Sequence, residues 1–215
     1  MVAENILRIK QEIGQNVDLV VVSKYRTIEE IKQVYEAGML HLAENRVQAL
    51  LERKEALPDN IKWHLIGHLQ TNKVKYIAPF IHLIQSVDSF KLLEEINKQG
   101  LKNNRVINCL LQVYIASEET KFGLSEEELV VLIKHPQLSE FKNINITGLM
   151  GMASNTDNIS QVEKEFKQLR HYFDNIKALN LFPDFQTVSM GMSGDYLLAI
   201  QCGSNMIRVG SKVFE

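Results

Sequence analysis

Lys24 closes an apolar run, DLVVVSK, in which Val20, Val21 and Val22 read as buried. An amine at the end of a buried strand has two uses. It can pair with a carboxylate, or, where its hydration is stripped, it can stand as the neutral nucleophile that condenses with an aldehyde. Two glycine-bearing stretches supply a complementary chemistry. SMGMSGD, Ser189 to Asp195, offers Gly191 and Gly194 for close backbone approach and Ser193 as a hydroxyl donor and helix cap, while RVGS places Gly210 and Ser211 on a second loop. Side by side they form an anion cradle; apart, they are only tight turns. Arg208 lies inside the apolar stretch MIRVG, where a guanidinium turned inward needs a partner and one turned outward makes a surface salt bridge. Amine and cradle facing each other would hold a phosphorylated aldehyde at both ends.

Other reactive residues carry less. His64 and His68 have the i, i+4 spacing of a helical zinc pair, but WHLIGH is strand-like, contains a glycine and lacks the glutamate of HExxH, so no metal ligand is expected. His41 and His82 read as interior or interface residues. Cys109 and Cys202 sit far apart in apolar surroundings and read as buried free thiols. The charged face of 157–179 reads as solvated surface, and KFG around Lys121 as either a lid or an inert loop.

The elements that position these groups follow from periodicity. Apolar, β-branched runs predict eight strands near 18–22, 39–42, 62–66, 81–85, 107–114, 145–150, 185–189 and 205–209. Amphipathic patterns between them predict helices over 27–37, 44–57, 88–99, 125–134 and 157–179, a short one after Gly194 and a weaker turn or two over 71–77. Thr27 with Glu30, and Ser125 ahead of three glutamates, are helix starts. Continuous apolar strands alternating with helices imply a parallel sheet covered on both faces. Eight such units in 215 residues predict a closed (β/α)8 TIM barrel, with a doubly wound open sheet as the alternative. Four prolines and no Ser/Gly-rich linker point to one domain, 1–215. Ile6, Ile9 and Ile13 form one face of an extra N-terminal helix that would close the barrel bottom or pack on its side.

In such a barrel ligands bind at the C-terminal ends of the strands, and phosphates between the loops after the seventh and eighth. Lys24, SMGMSGD and RVGS all fall there. Lys plus Arg is 24 against 26 for Asp plus Glu, so no overall field favours nucleic acid or an anionic membrane. No apolar run approaches the roughly 20 residues of a bilayer span, and the start lacks a signal-peptide pattern, so a cytoplasmic protein is expected.

The pieces VVSK (21–24), AENRVQ (43–48), WHLIGHLQTNK (63–73), QSVD (85–88), SEETKFG (117–123), GLMGM (148–152), SMGMSGDYLLAI (189–200) and MIRVG (206–210) together resemble the pyridoxal-phosphate-binding proteins of the YggS/PROSC type, the pyridoxal phosphate homeostasis proteins. They occur in family order along nearly the whole chain. The resemblance implies a barrel of the alanine racemase N-terminal-domain type and pyridoxal 5'-phosphate as cofactor. By the same resemblance Lys24 carries it as an internal aldimine, Ser193, Gly210 and Ser211 hold its phosphate, Arg208 faces the pyridine nitrogen, and Asn45 and Met150 lie beside the ring. Ala43 stands where a glycine is usual, and Tyr25-Arg26 where threonine or serine is common after the lysine.

An arginine at the pyridine nitrogen disfavours its protonation and weakens the ring as an electron sink. Racemisation also needs a second acid/base, which racemase-like enzymes take from a partner chain's tyrosine in an architecture with a further domain. The expected role is therefore a monomeric intracellular carrier or buffer of the cofactor, with apo-enzymes as possible recipients. A weak amino-acid racemase and, more remotely, a Schiff-base aldolase are the alternatives.

Overall fold

The computed structural model describes residues 1–117 and 122–215. Eight parallel strands close into a barrel in sequence order: β1 (Asp18–Val22), β2 (His41–Glu44), β3 (Lys62–Leu65), β4 (Leu83–Val87), β5 (Ile107–Val113), β6 (Ile144–Gly151), β7 (Thr187–Ser189) and β8 (Met206–Val209). The last strand pairs with the first, Arg208 lying opposite Val20, so the closed barrel holds and the open sheet does not.

The strands read as unbroken apolar runs because both of their faces are buried. One face meets the helices. The other fills the lumen, where Val20, Val22, Ala43, Leu83, Leu110, Met150 and Met206 form a separate core. Away from the register shifts in β4 and between β5 and β6, residues alternate between the two faces. The lumen side therefore also receives Asp18 from β1, His41 from β2, His64 from β3, Gln85 from β4 and Arg208 from β8.

Three strands, β2, β4 and β7, begin two residues later than their sequences predict, and in β2 and β4 the end shifts as well. Met39 and Ile81 are still engaged by the preceding helix ends, their N–H groups bonding Val34 and Ile77, so they cannot enter a ladder. Ala43 and Glu44 consequently belong to β2, and Ser86 and Val87 to β4; the functional ends start at Asn45 and Asp88.

The helices are α1 (Val2–Ile13), α2 (Ile28–Glu36), α3 (Val47–Ala56), α4 (Val74–Ile77), α5 (Phe90–Lys102), α6 (Glu126–Ile133), α7 (Ile159–Ala178), α8 (Tyr196–Gln201) and α9 (Ser211–Phe214). Thr27 closes the capping box that its spacing with Glu30 predicts, and Ser125, expected as a cap, closes one with Glu128. Helix α1 buries Val2, Ile6, Ile9 and Ile13 and packs on the barrel's side against α9, with Asn5 Nδ2 donating to the Val213 carbonyl at 3.2 Å. Among the described residues no helix is long and apolar enough to cross a membrane. Both cysteines are buried free thiols, each raised in pKa by burial.

Candidate functional site

Above the C-terminal ends of the strands opens a cavity of about 780 Å³, within the range typical of small-molecule sites. Lys24, Asn45, Ser193, Arg208, Gly210 and Ser211 all line it. Met150 does not: it is fully buried in the lumen core, and Met152 takes its place in the wall. The polypeptide climbs one pleat between the two, so the inward neighbour nearer the mouth is the one that meets the cavity. Lys121 lies outside the described residues.

Lys24 sits on a turn, not in the lumen. The last ladder bond of β1 runs from the Ser23 N–H to the Ala43 carbonyl at 3.0 Å, and the Arg26 N–H then closes back on the Ser23 carbonyl at 3.1 Å. Tyr25 completes this turn with φ 65° and an exposed ring. The lysine is thereby lifted to the rim and is exposed. The expectation that the barrel strips its hydration is corrected: the strand ends too early to draw the amine inside.

A buried ion pair fixes this turn from below. Arg53 on α3 donates from Nε to Glu44 Oε1 at 2.5 Å, and its other arm reaches the Arg26 carbonyl at 2.9 Å. Ser23 Oγ donates to the same Glu44 oxygen at 2.7 Å. Because Glu44 is almost wholly buried, the pair's geometry matters more than it would on the surface. Nothing in the spacing of Glu44 and Arg53 announces this brace, which depends on where α3 crosses β2.

Across the cavity, Ser193 Oγ accepts the Gly210 N–H at 3.2 Å and so ties the loop after β7 to the loop after β8. Among the described residues no acceptor meets the N–H groups of Ser193, Gly194 or Ser211. A Cβ at Gly194 would project into open space, whereas one at Gly191 would lie 2.6 Å from Ala199 Cβ, so Gly191 is required by packing and Gly194 is not. On the rim, a Cβ at Gly67 would come within 2.1 Å of the Asn45 carbonyl oxygen; glycine there lets the loops after β2 and β3 touch.

Arg208 is buried and turned inward, donating to Ser189 Oγ at 2.6 Å and to the Gly151 carbonyl at 3.0 Å. Burial pulls its pKa down to about 10, with Asp195 opposing, so it remains a cation near neutrality. Apolar walls come from Ile66, Met152 and Phe122, whose ring stacks on His68 at 4.5 Å. His68 in turn approaches Asp88 at 3.1 Å. His68 follows β3 and Phe122 follows β5, the strand ends at which a barrel of this class binds its ligands.

The comparisons with known proteins agree with one another. The family model described as alanine racemase, N-terminal domain, matches residues 1–214. The pyridoxal phosphate homeostasis protein of Haemophilus influenzae is 35% identical over 201 residues, covering 92% of this chain and 84% of that protein. The chain belongs to the pyridoxal phosphate homeostasis protein family. Among solved structures, PipY of Synechococcus elongatus without the cofactor superposes with a TM-score of 0.94 at 31% identity, each chain covered in full. The same protein with pyridoxal phosphate bound gives 0.90 at 30% identity, again over the full length of both. The alanine racemase-like barrel that the motifs imply is therefore the fold of this family and of this chain.

Proposed function

We propose that this chain binds pyridoxal 5'-phosphate in the mouth cavity, holds it through the Lys24 amine as a Schiff base, and acts in the cytoplasm as a monomeric, one-domain carrier or buffer in pyridoxal phosphate homeostasis. The observation that carries the reading is the convergence on one cavity of an amine, a guanidinium, two serine hydroxyls and three backbone N–H groups that meet no acceptor among the described residues. PipY, a relative with the cofactor bound, supports it.

The residues fit the group. Ser193, Gly194 and Ser211 offer donors to a phosphate, Asn45 and Arg208 offer polar contacts to a ring, and Met152, Ile66 and Phe122 offer apolar walls. When bound, the cofactor supplies an aldehyde that condenses reversibly with amines, with loss of water. Lys24 contributes an amine open to solvent, so water or a competing amine can reach the linkage and release the cargo. An efficient catalyst instead closes its site to water. Arg208, a permanent donor with no lone pair to offer, favours an unprotonated ring nitrogen and so a weak electron sink. Both features favour storage and transfer to apo-enzymes over turnover.

Titrating purified protein with pyridoxal phosphate tests the reading. The wild type should develop a visible absorbance band distinct from the free aldehyde, and Lys24→Ala should not. An unchanged band in the variant refutes the assignment of the amine. A racemase reading would require exchange of the substrate α-proton, so incubation with alanine or serine enantiomers in deuterated solvent should leave that position unlabelled.

A further inference from the structure

At the opposite end of the barrel three imidazoles meet. His41 opens β2, His64 lies in β3 and His82 immediately precedes β4, its N–H joining the Trp63 carbonyl at 2.9 Å. Their ring centroids are 5.2, 5.3 and 5.4 Å apart, and the nearest ring nitrogens of the three lie within 4.8 Å of one another. We infer that His41, His64 and His82 form a site for a divalent transition metal of the zinc class at the N-terminal pole of the barrel. The i, i+4 spacing in the sequence pairs His64 with His68, but the fold sends those two to opposite ends and gives His64 two partners from neighbouring strands.

The chemistry suits such an ion. Neutral imidazole is a ligand and imidazolium is not. Burial holds His64 well below the ordinary histidine value and His82 down to about 4, so both are neutral near pH 7, as is His41, lowered by the same cause. A tetrahedral ion with bonds near 2.0–2.1 Å needs nitrogens roughly 3.3 Å apart. His41 Nδ1 and His64 Nε2 stand at 2.9 Å, so ligation must open this pair slightly and shorten the longer nitrogen separations, which reach up to 4.8 Å. Among the described residues no hydrogen bond engages the His82 ring, which leaves it available. Both segments are held from behind: Arg105 donates to the Ala78 and Ile81 carbonyls just before His82, and Gln85 contacts His64 Nδ1 at 2.9 Å. Lys62 and Arg105 bring unfavourable charge and Asp18 brings favourable charge; both Lys62 and Asp18 are exposed and screened by solvent.

Ligation has a cost that reaches the other pole. Arg208 can only donate, so Ser189 accepts from it and gives its own hydrogen to Gln85 Oε1 at 2.7 Å; the Gln85 amide then donates to His64 Nδ1, leaving the His64 proton on Nε2, directed at His41. For Nε2 to take a metal, that proton must move to Nδ1 and the Gln85 carboxamide must turn over so that Oε1 accepts it. The reversal runs as far as Ser189, which then faces two donors.

Adding Co²⁺ to the metal-free, cofactor-free protein tests the site. We expect one equivalent to bind with the visible d–d bands of a low-coordinate nitrogen-ligated ion. His82→Gln and His41→Gln should each weaken binding by at least about tenfold, with the melting curve in chelator showing that each variant remains folded. Absence of any such bands at millimolar Co²⁺ overturns the site. So does binding undiminished in both variants, which would place the metal at the His68–Asp88 pair instead. Should one variant fail to fold, the other decides.

Discussion

The two ends of the barrel are built from the same lumen-facing positions of the same strands, yet they solve the problem of polar groups differently. At the mouth the groups are left open: an exposed lysine, loop amides that meet no acceptor among the described residues, and a guanidinium beside a cavity. At the pole the groups answer one another, imidazole to imidazole, over a short distance. Between them runs a chain of hydrogen bonds, Arg208 to Ser189 to Gln85 to His64 to His41, that replaces a purely apolar lumen. A buried polar chain is tolerated only when every member is satisfied, and here a single donor-only residue dictates the direction of every bond. Openness at the mouth leaves donors for a ligand; at the pole the His41–His64 pair is satisfied internally, while the His82 ring beside it has no hydrogen bond among the described residues.

The contrast can be broken most severely at the mouth. Gly67→Ala forces a Cβ against the Asn45 carbonyl oxygen; the loops after β2 and β3 must part, at roughly 3 kcal/mol or more in urea unfolding, with cofactor affinity lost alongside. Arg208→Ala cuts the connecting chain and strands Ser189 and the Gly151 carbonyl; we expect about 1–3 kcal/mol of lost stability and, by NMR of the imidazoles, a mixture of His64 tautomers where the wild type has one. Ser193→Ala removes one hydroxyl and the acceptor of the Gly210 N–H; about 1 kcal/mol, or a fewfold rise in the pyridoxal phosphate dissociation constant, should result, with the pole untouched. The pole should show itself in pH dependence. His82 has its folded pKa depressed to about 4 from an ordinary 6.5. The unfolded chain therefore binds the proton first, and stability present above pH 6.5 should decline as pH falls toward 4. His82→Gln should flatten that part of the profile, measured in chelator, while Ser193→Ala should leave it unchanged.

Much of this arrangement is legible in sequence because barrel strands are buried on both sides and therefore print as unbroken apolar runs. The eight strands, the capping box at Thr27, the cap at Ser125 and the placement of Lys24, Ser193 and Arg208 at strand ends follow from local pattern. The starts of β2 and β4 do not, because Met39 and Ile81 are apolar like strand residues but spend their N–H groups on helix ends. Met150 and Met152 have the same parity and differ only in height above the lumen, which a pattern of period two cannot register. The exposure of Lys24 likewise depends on a turn with φ 65° at Tyr25 that no apolar run encodes. The Glu44–Arg53 brace and the histidine cluster are invisible for a further reason: each joins residues from different elements whose crossing is set by tertiary packing. A one-residue parity count along β2 and β3 would have put His41 and His64 on the same inner face, and that was the available clue.

Reduction of the cofactor-loaded protein with borohydride, followed by peptide mass mapping, bears most directly on the central claim. A pyridoxyl phosphate group fixed on the peptide containing Lys24, at close to one per chain, is the predicted result. Label spread over other surface lysines, or none retained on that peptide, would contradict it.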